Sequence, residues 1–172
     1  MQIEEVREYL ENPDPQKRLK ALTELRNYDT EIAVPLLKTK MNDREFLVRS
    51  FVAMGFGKKQ NAESFAALLE LIKFDRDPNV RAEASNSLSL FGKVAASHLV
   101  LTFDRDDHWL VRRSILAALV ELDSPEEMFE VCIIALSGED LTVRESSIDC
   151  LAYLANTSKR DAALAQLLLL VN

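Results

Sequence analysis

The sequence predicts an all-α protein, an α-α superhelix of about five stacked helical hairpins followed by one terminal helix. Three observations carry this. First, an arginine recurs with constant company at Arg18, Arg49, Arg81, Arg112 and Arg144, at separations of 31, 32, 31 and 32 residues. Seven residues after each stand Leu25, Phe56, Leu88, Leu119 and Leu151, and an acid or its substitute stands four before, as Asp14, Glu45, Asp77, His108 and Asp140. Second, a separate apolar pattern lies twelve residues before each arginine, at Val6, Leu37, Leu69, Val100 and Cys132. Each period therefore holds a helix A, a turn and a helix B, and neither helix can bury its stripe unless hairpins stack. Third, 48% hydrophobic residues and only 4 glycines supply a continuous core and argue against disorder.

Repeats are expected over about 1–29, 30–60, 61–92, 93–123 and 124–156, with a terminal helix at 159–171, all in a single solenoid over 1–172. In the first, helix A spans Ile3 to Leu10 and helix B ends near Asn27; Lys17 and Glu5 replace apolar residues, as a native cap would. In the second, Pro35 predicts a helix A that starts late or kinks, and helix B runs from about Glu45 to Phe56. The third is the clearest: Phe65, Leu68, Leu69 and Ile72 form one stripe, then Asp77 caps a helix with Pro78 at its first position. Val80, Ala84, Leu88 and Phe91 share its inward face, and Gly92 ends it. In the fourth, the helices run from about Val94 to Phe103 and from Trp109 to Leu122. The fifth opens with Ser124 and Glu127 as a capping box, and its helix B spans about Leu141 to Ala155. The final helix holds Leu164, Leu167, Leu168, Leu169, Leu170 and Val171. That apolar run reads either as a terminal capping helix or as an array cut short of a sixth helix B, and on the second reading self-association through 164–171 is expected.

The Asp75-Arg76-Asp77-Pro78-Asn79-Val80-Arg81 run, the run from Asp106 to Arg112, and Asp140-Leu141-Thr142-Val143-Arg144 resemble the HEAT-like repeat family, in the short-period form of phycobilisome lyase accessory subunits. The resemblance covers essentially the whole chain. It implies a HEAT-like solenoid whose B helices line a concave face, with a chaperone-like, accessory or bilin-lyase role as specific forms of its function.

Net charge is −7, divided as −1 over residues 1–86 and −6 over 87–172. That balance disfavours nucleic acid, which needs a basic track, and leaves a HEAT-like nucleic-acid binder as a second alternative. No stretch approaches the roughly 18–20 apolar residues of a membrane span. The start, Met1 to Glu5, lacks a signal-peptide pattern, and Cys132 and Cys150 fall on inward positions, so a cytoplasmic location is expected. No nucleophile constellation, P-loop or dinucleotide fingerprint is present. His98 and His108 lie at different repeat positions, without convergent ligands, and no catalytic residue, metal or cofactor is assigned.

Asp14, Asp77 and Asp140, with Arg18, Arg49, Arg81, Arg112 and Arg144, are expected to be structural: caps, and a ladder bridging each turn to an acid in its own or the adjacent turn. The functional expectation is another protein as partner, bound on the exposed side of the B helices by Leu47, Phe51, Met54 and Leu110, with Leu19 and Ala82 extending the patch. The Phe51 column holds Lys20, Glu83 and Ser114 elsewhere, and the Met54 column holds Thr23, Asn86 and Asp149, so stacking does not ask for large apolar residues there.

Overall fold

A computed structural model describes residues 1–171. Among them are eleven α-helices and no strand. They are α1 (Ile3–Leu10), α2 (Pro15–Glu24), α3 (Thr30–Lys38), α4 (Phe46–Lys58), α5 (Ala62–Phe74), α6 (Pro78–Ser89), α7 (Ala96–Arg105), α8 (Trp109–Leu122), α9 (Pro125–Leu136), α10 (Leu141–Leu154) and α11 (Arg160–Val171). Short 3-10 turns at Leu25–Asn27 and Lys93–Ala95 finish α2 and precede α7. The molecule is an all-α solenoid of helical hairpins. Its contacts fall into two compact units, Met1–Phe91 and the residues from Gly92 on.

In the first unit α1 packs on α2, α3 on α4 and α5 on α6, while the B helices α2, α4 and α6 lie side by side. The inward positions read from the period are buried: Ala21, Val52 and Ala84, three after each arginine, are all fully covered, as are Val48, Val80, Phe56 and Leu88. The A helices close the other side with Val6, Leu10, Val34, Leu37 and Leu68. Phe91, expected on the same stripe, is only half-buried. It meets Phe65 edge to face at 5.2 Å.

Several local expectations are corrected. Helix α3 begins at Thr30, not late, and carries Pro35 in its interior. The carbonyl that Pro35 leaves without a donor belongs to exposed Glu31, where water can serve it. Ile32, in the first turn of that helix, is exposed. Helix α4 runs on past Phe56 to Lys58, through Gly55 and Gly57. A Cβ on Gly57 would lie 2.9 Å from Ser87 Cβ and 3.1 Å from Ser87 Cα, so the bare backbone is what lets α4 and α6 approach.

In the second unit α7 packs on α8 and α9, α8 and α9 on α10, and α10 on α11. Buried Val111, Ile115, Leu119, Val131, Cys132, Val143 and Leu151 form its core. Gly92 sits at φ 89°, a conformation that favours glycine, and the 3-10 turn that follows delays α7 to Ala96. The capping box at Ser124 and Glu127 does not form. Ser124 makes no side-chain cap, because it is buried with φ −113° and ψ 78°, away from the extended geometry that aims a hydroxyl at the first-turn amides.

Candidate functional site

The repeated polar residues assemble at the turns between A and B helices. Asp14 Oδ1 accepts from Gln16 N at 2.9 Å, Asp77 Oδ1 from Asn79 N at 2.8 Å and Asp140 Oδ1 from Val143 N at 3.0 Å. Glu45 makes no such bond. His108 does, its Nδ1 accepting from Leu110 N at 3.2 Å, so this imidazole serves as a helix cap, with the Trp109 ring stacked beside it at 5.9 Å.

The arginines select a different acid from the one four residues before them. Arg49 Nε and Nη2 grip Asp75 Oδ2 and Oδ1 at 2.9 and 3.3 Å, and its Nη1 donates to the Asp43 carbonyl at 2.7 Å. Arg18 repeats the pattern one hairpin earlier, with Asp43 at 2.8 and 3.0 Å and the Asn12 carbonyl at 2.8 Å. Arg81 Nη1 donates to the Asp75 carbonyl at 3.0 Å. The rule is one residue, six before each arginine: its carbonyl serves its own arginine, and its carboxylate serves the arginine of the preceding repeat. The same side chain also holds its own turn, since Asp43 accepts from Glu45 N and Asp75 from Asp77 N. This column, Asn12, Asp43, Asp75, Asp106 and Gly138, stands in the sequence at a fixed offset, and it is the signal that the reading four residues before each arginine passes over. Planar forks on buried carboxylates set neighbouring turns in register.

The second unit departs from the rule. Arg112 donates through Nε alone, to the Phe103 and Asp106 carbonyls at 3.1 and 2.9 Å, with its guanidinium 4.8 Å over the Phe103 ring. The residue that would carry its carboxylate is Gly138. Among the described residues, the guanidinium of half-buried Arg144 has no ion-pair or hydrogen-bond partner. A Cβ on Gly138 would lie 3.8 Å from Arg112 Nη1 and 3.4 Å from the nearest backbone oxygen, so a side chain fits. Gly138→Asp should therefore stabilise the protein by roughly 0.5–1 kcal/mol. Thermal melts beside Gly138→Ala, which carries the backbone effect without the carboxylate, check this.

On the B-helix face, Leu47 and Met54 are exposed and Phe51 is half-buried. Full solvent exposure of Phe51 is thus corrected. It lines an open groove of about 190 Å³ with Met54, Leu22 and Leu37. Leu110 is half-buried at the start of α8, in the second unit. Leu19 and Ala82 do not extend the patch: both are buried, as is Ser50 at the same repeat position. In the first unit parallel B helices cover one another's flanks, so the position after each of Arg18, Arg49 and Arg81 is shielded and the exposed ridge is narrower than a single helical wheel suggests. Burial pushes the Glu83 carboxyl, in the Phe51 column, up from its ordinary value.

The two cysteines are buried and reduced. Hydrogen bonding to the Cys150 thiol, then burial, pushes the Cys132 thiol up from its ordinary value. Among the described residues no group of three or more His, Cys, Asp or Glu is placed to hold a metal ion. No helix among them is long and apolar enough to cross a membrane.

A stack of A/B hairpins with a ladder at its turns and side chains presented from its B helices is a repeat protein built for surface recognition. The family profile described as HEAT repeats matches residues 34–120, just over half of the chain. The chain belongs to the HEAT repeat family, whose members commonly serve as protein-interaction modules. No curated protein matches it in sequence.

Proposed function

We propose that this HEAT repeat protein is a non-enzymatic scaffold or assembly factor that binds another protein on its B-helix face. Leu47, Phe51 and Met54, all on the first unit, anchor the partner. The observation that carries this is the contrast within two repeat columns. Phe51 and Met54 stand at an open groove, where the same positions in other repeats are Lys20, Glu83, Thr23 and Asn86. Large apolar side chains left open to solvent mark interaction surfaces. Truncating an aromatic anchor costs about 2 kcal/mol or more, roughly 30-fold in affinity. A Phe51→Ala, Met54→Ala double variant should keep its helical signal and lose its partner in a pull-down compared with wild type. A folded variant that still captures the same partner defeats this reading.

A separate observation favours self-association. Helix α11 exposes Leu168, Leu169 and Val171 at 64, 67 and 80%, and buries only Ala163. Replacing Leu168 and Val171 with Glu should abolish concentration-dependent association in sedimentation while leaving the circular dichroism spectrum unchanged.

A further inference from the structure

We infer that the groove beside Phe51 takes an acidic segment of the partner protein, seating an apolar side chain on its floor and carboxylates on three cations at its mouth. The inference rests on the protein-binding reading above and names the chemistry of that partner. The groove lies where α2 and its 3-10 turn, α3 and α4 meet, all within the first unit. Its floor is Leu22, Leu37, Phe51 and Met54, and its polar lining includes Arg26, Lys58 and Lys59. A Cβ on Gly55 would lie 2.6 Å from Leu37 Cδ2, so the absence of a side chain there is what brings α3 against α4 at the floor.

Size and charge decide the occupant. At about 190 Å³ the groove is smaller than the roughly 300–1,000 Å³ of small-molecule pockets and suits one or two side chains of a peptide. Lys59 Nζ donates to the Arg26 carbonyl at 3.0 Å, which ties the end of α4 to the 3-10 turn and holds these cations together. Among the described residues none of the three has a carboxylate within ion-pair distance. Helix C-termini favour a cation, and Lys58 and Arg26 each lie in a last turn, but that accounts for one charge per helix end rather than three in one groove. Stacking does not require them either. The positions matching Arg26 in later repeats are Gly57, Ser89, Val120 and Ala152, and those matching Lys58 are Leu90, Glu121 and Tyr153. The cations and the Phe51–Met54 pair are thus confined to the same two repeats, in a half of the chain with a net charge of only −1. An acidic segment with an apolar anchor meets both features, and like charge turns basic segments away.

The test is selection of a random peptide library displayed on phage against the purified full chain, followed by binding of the enriched peptides to variants. Enriched peptides should combine a large apolar residue with Asp or Glu. Their affinity should fall about tenfold or more in Arg26→Glu, Lys58→Glu, a pair of exposed positions, and affinity for the wild type should fall as salt is raised. It should also be lost in Phe51→Ala. Peptides without an acidic excess, or with affinity unchanged by the charge reversal, overturn the acidic partner while leaving the groove as a docking site if Phe51→Ala still abolishes binding. Peptides indifferent to Phe51→Ala overturn the B-helix reading as well. No enrichment at all overturns the inference.

Discussion

Arg49→Ala is expected to destabilise the first unit by about 3–5 kcal/mol. Arg49 is 2% exposed and the Asp75 side chain 4%. Removing the guanidinium leaves the Asp75 carboxylate buried with the Asp77 N–H as its remaining described donor. It also strips the Asp43 carbonyl of the donor at 2.7 Å. The loss is of compensation for a charge already out of water, which is why it exceeds the net worth of the pair. Urea denaturation of wild type, Arg49→Ala, Asp75→Asn and the double variant measures it as a cycle. The double variant should be more stable than the sum of the single losses implies, because neither charge is then left unpaired. Additive losses would mean that the two side chains do not act as a unit.

Leu88→Ala is expected to cost about 2–5 kcal/mol. Leu88 lies seven residues after Arg81, is fully buried, and belongs to α6, which packs between α4 and α5. Truncation removes transfer free energy and leaves a cavity that two tightly apposed helices cannot close, since α4 already meets α6 through Gly57. Because α6 packs directly on α4 and α5, hydrogen exchange should rise first in those two helices. A melting temperature within a degree or two of wild type would mean that the inward face of α6 is misassigned.

The hairpin architecture is legible in the sequence because its determinants are local or periodic. A period of 31 or 32 residues places each B helix, and the extents of α1 and α8 follow from where apolar spacing begins and stops. The amides that Asp14, Asp77 and Asp140 hold lie two or three residues away, within reach of a reading along the chain. Where that local reading fails, a tertiary demand outweighs it. Gly57 looks like a helix end and is an interior contact; Ser124 looks like a cap and is buried away from the amides it would serve.

The sequence by itself determines the repeat, the inward face of the B helices and the contrast that singles out Phe51 and Met54 from their columns. Only the tertiary structure decides which acids Arg18 and Arg49 take. Asp43 and Asp75 lie 25 and 26 residues from Arg18 and Arg49, and stacking geometry chooses them over the nearer acids. It alone decides that Leu19 and Ala82 are covered, since a helical wheel shows one helix and the flank is closed by the next. It alone gathers Arg26, Lys58 and Lys59 at one groove, because charges on separate helices meet only when the chain has folded.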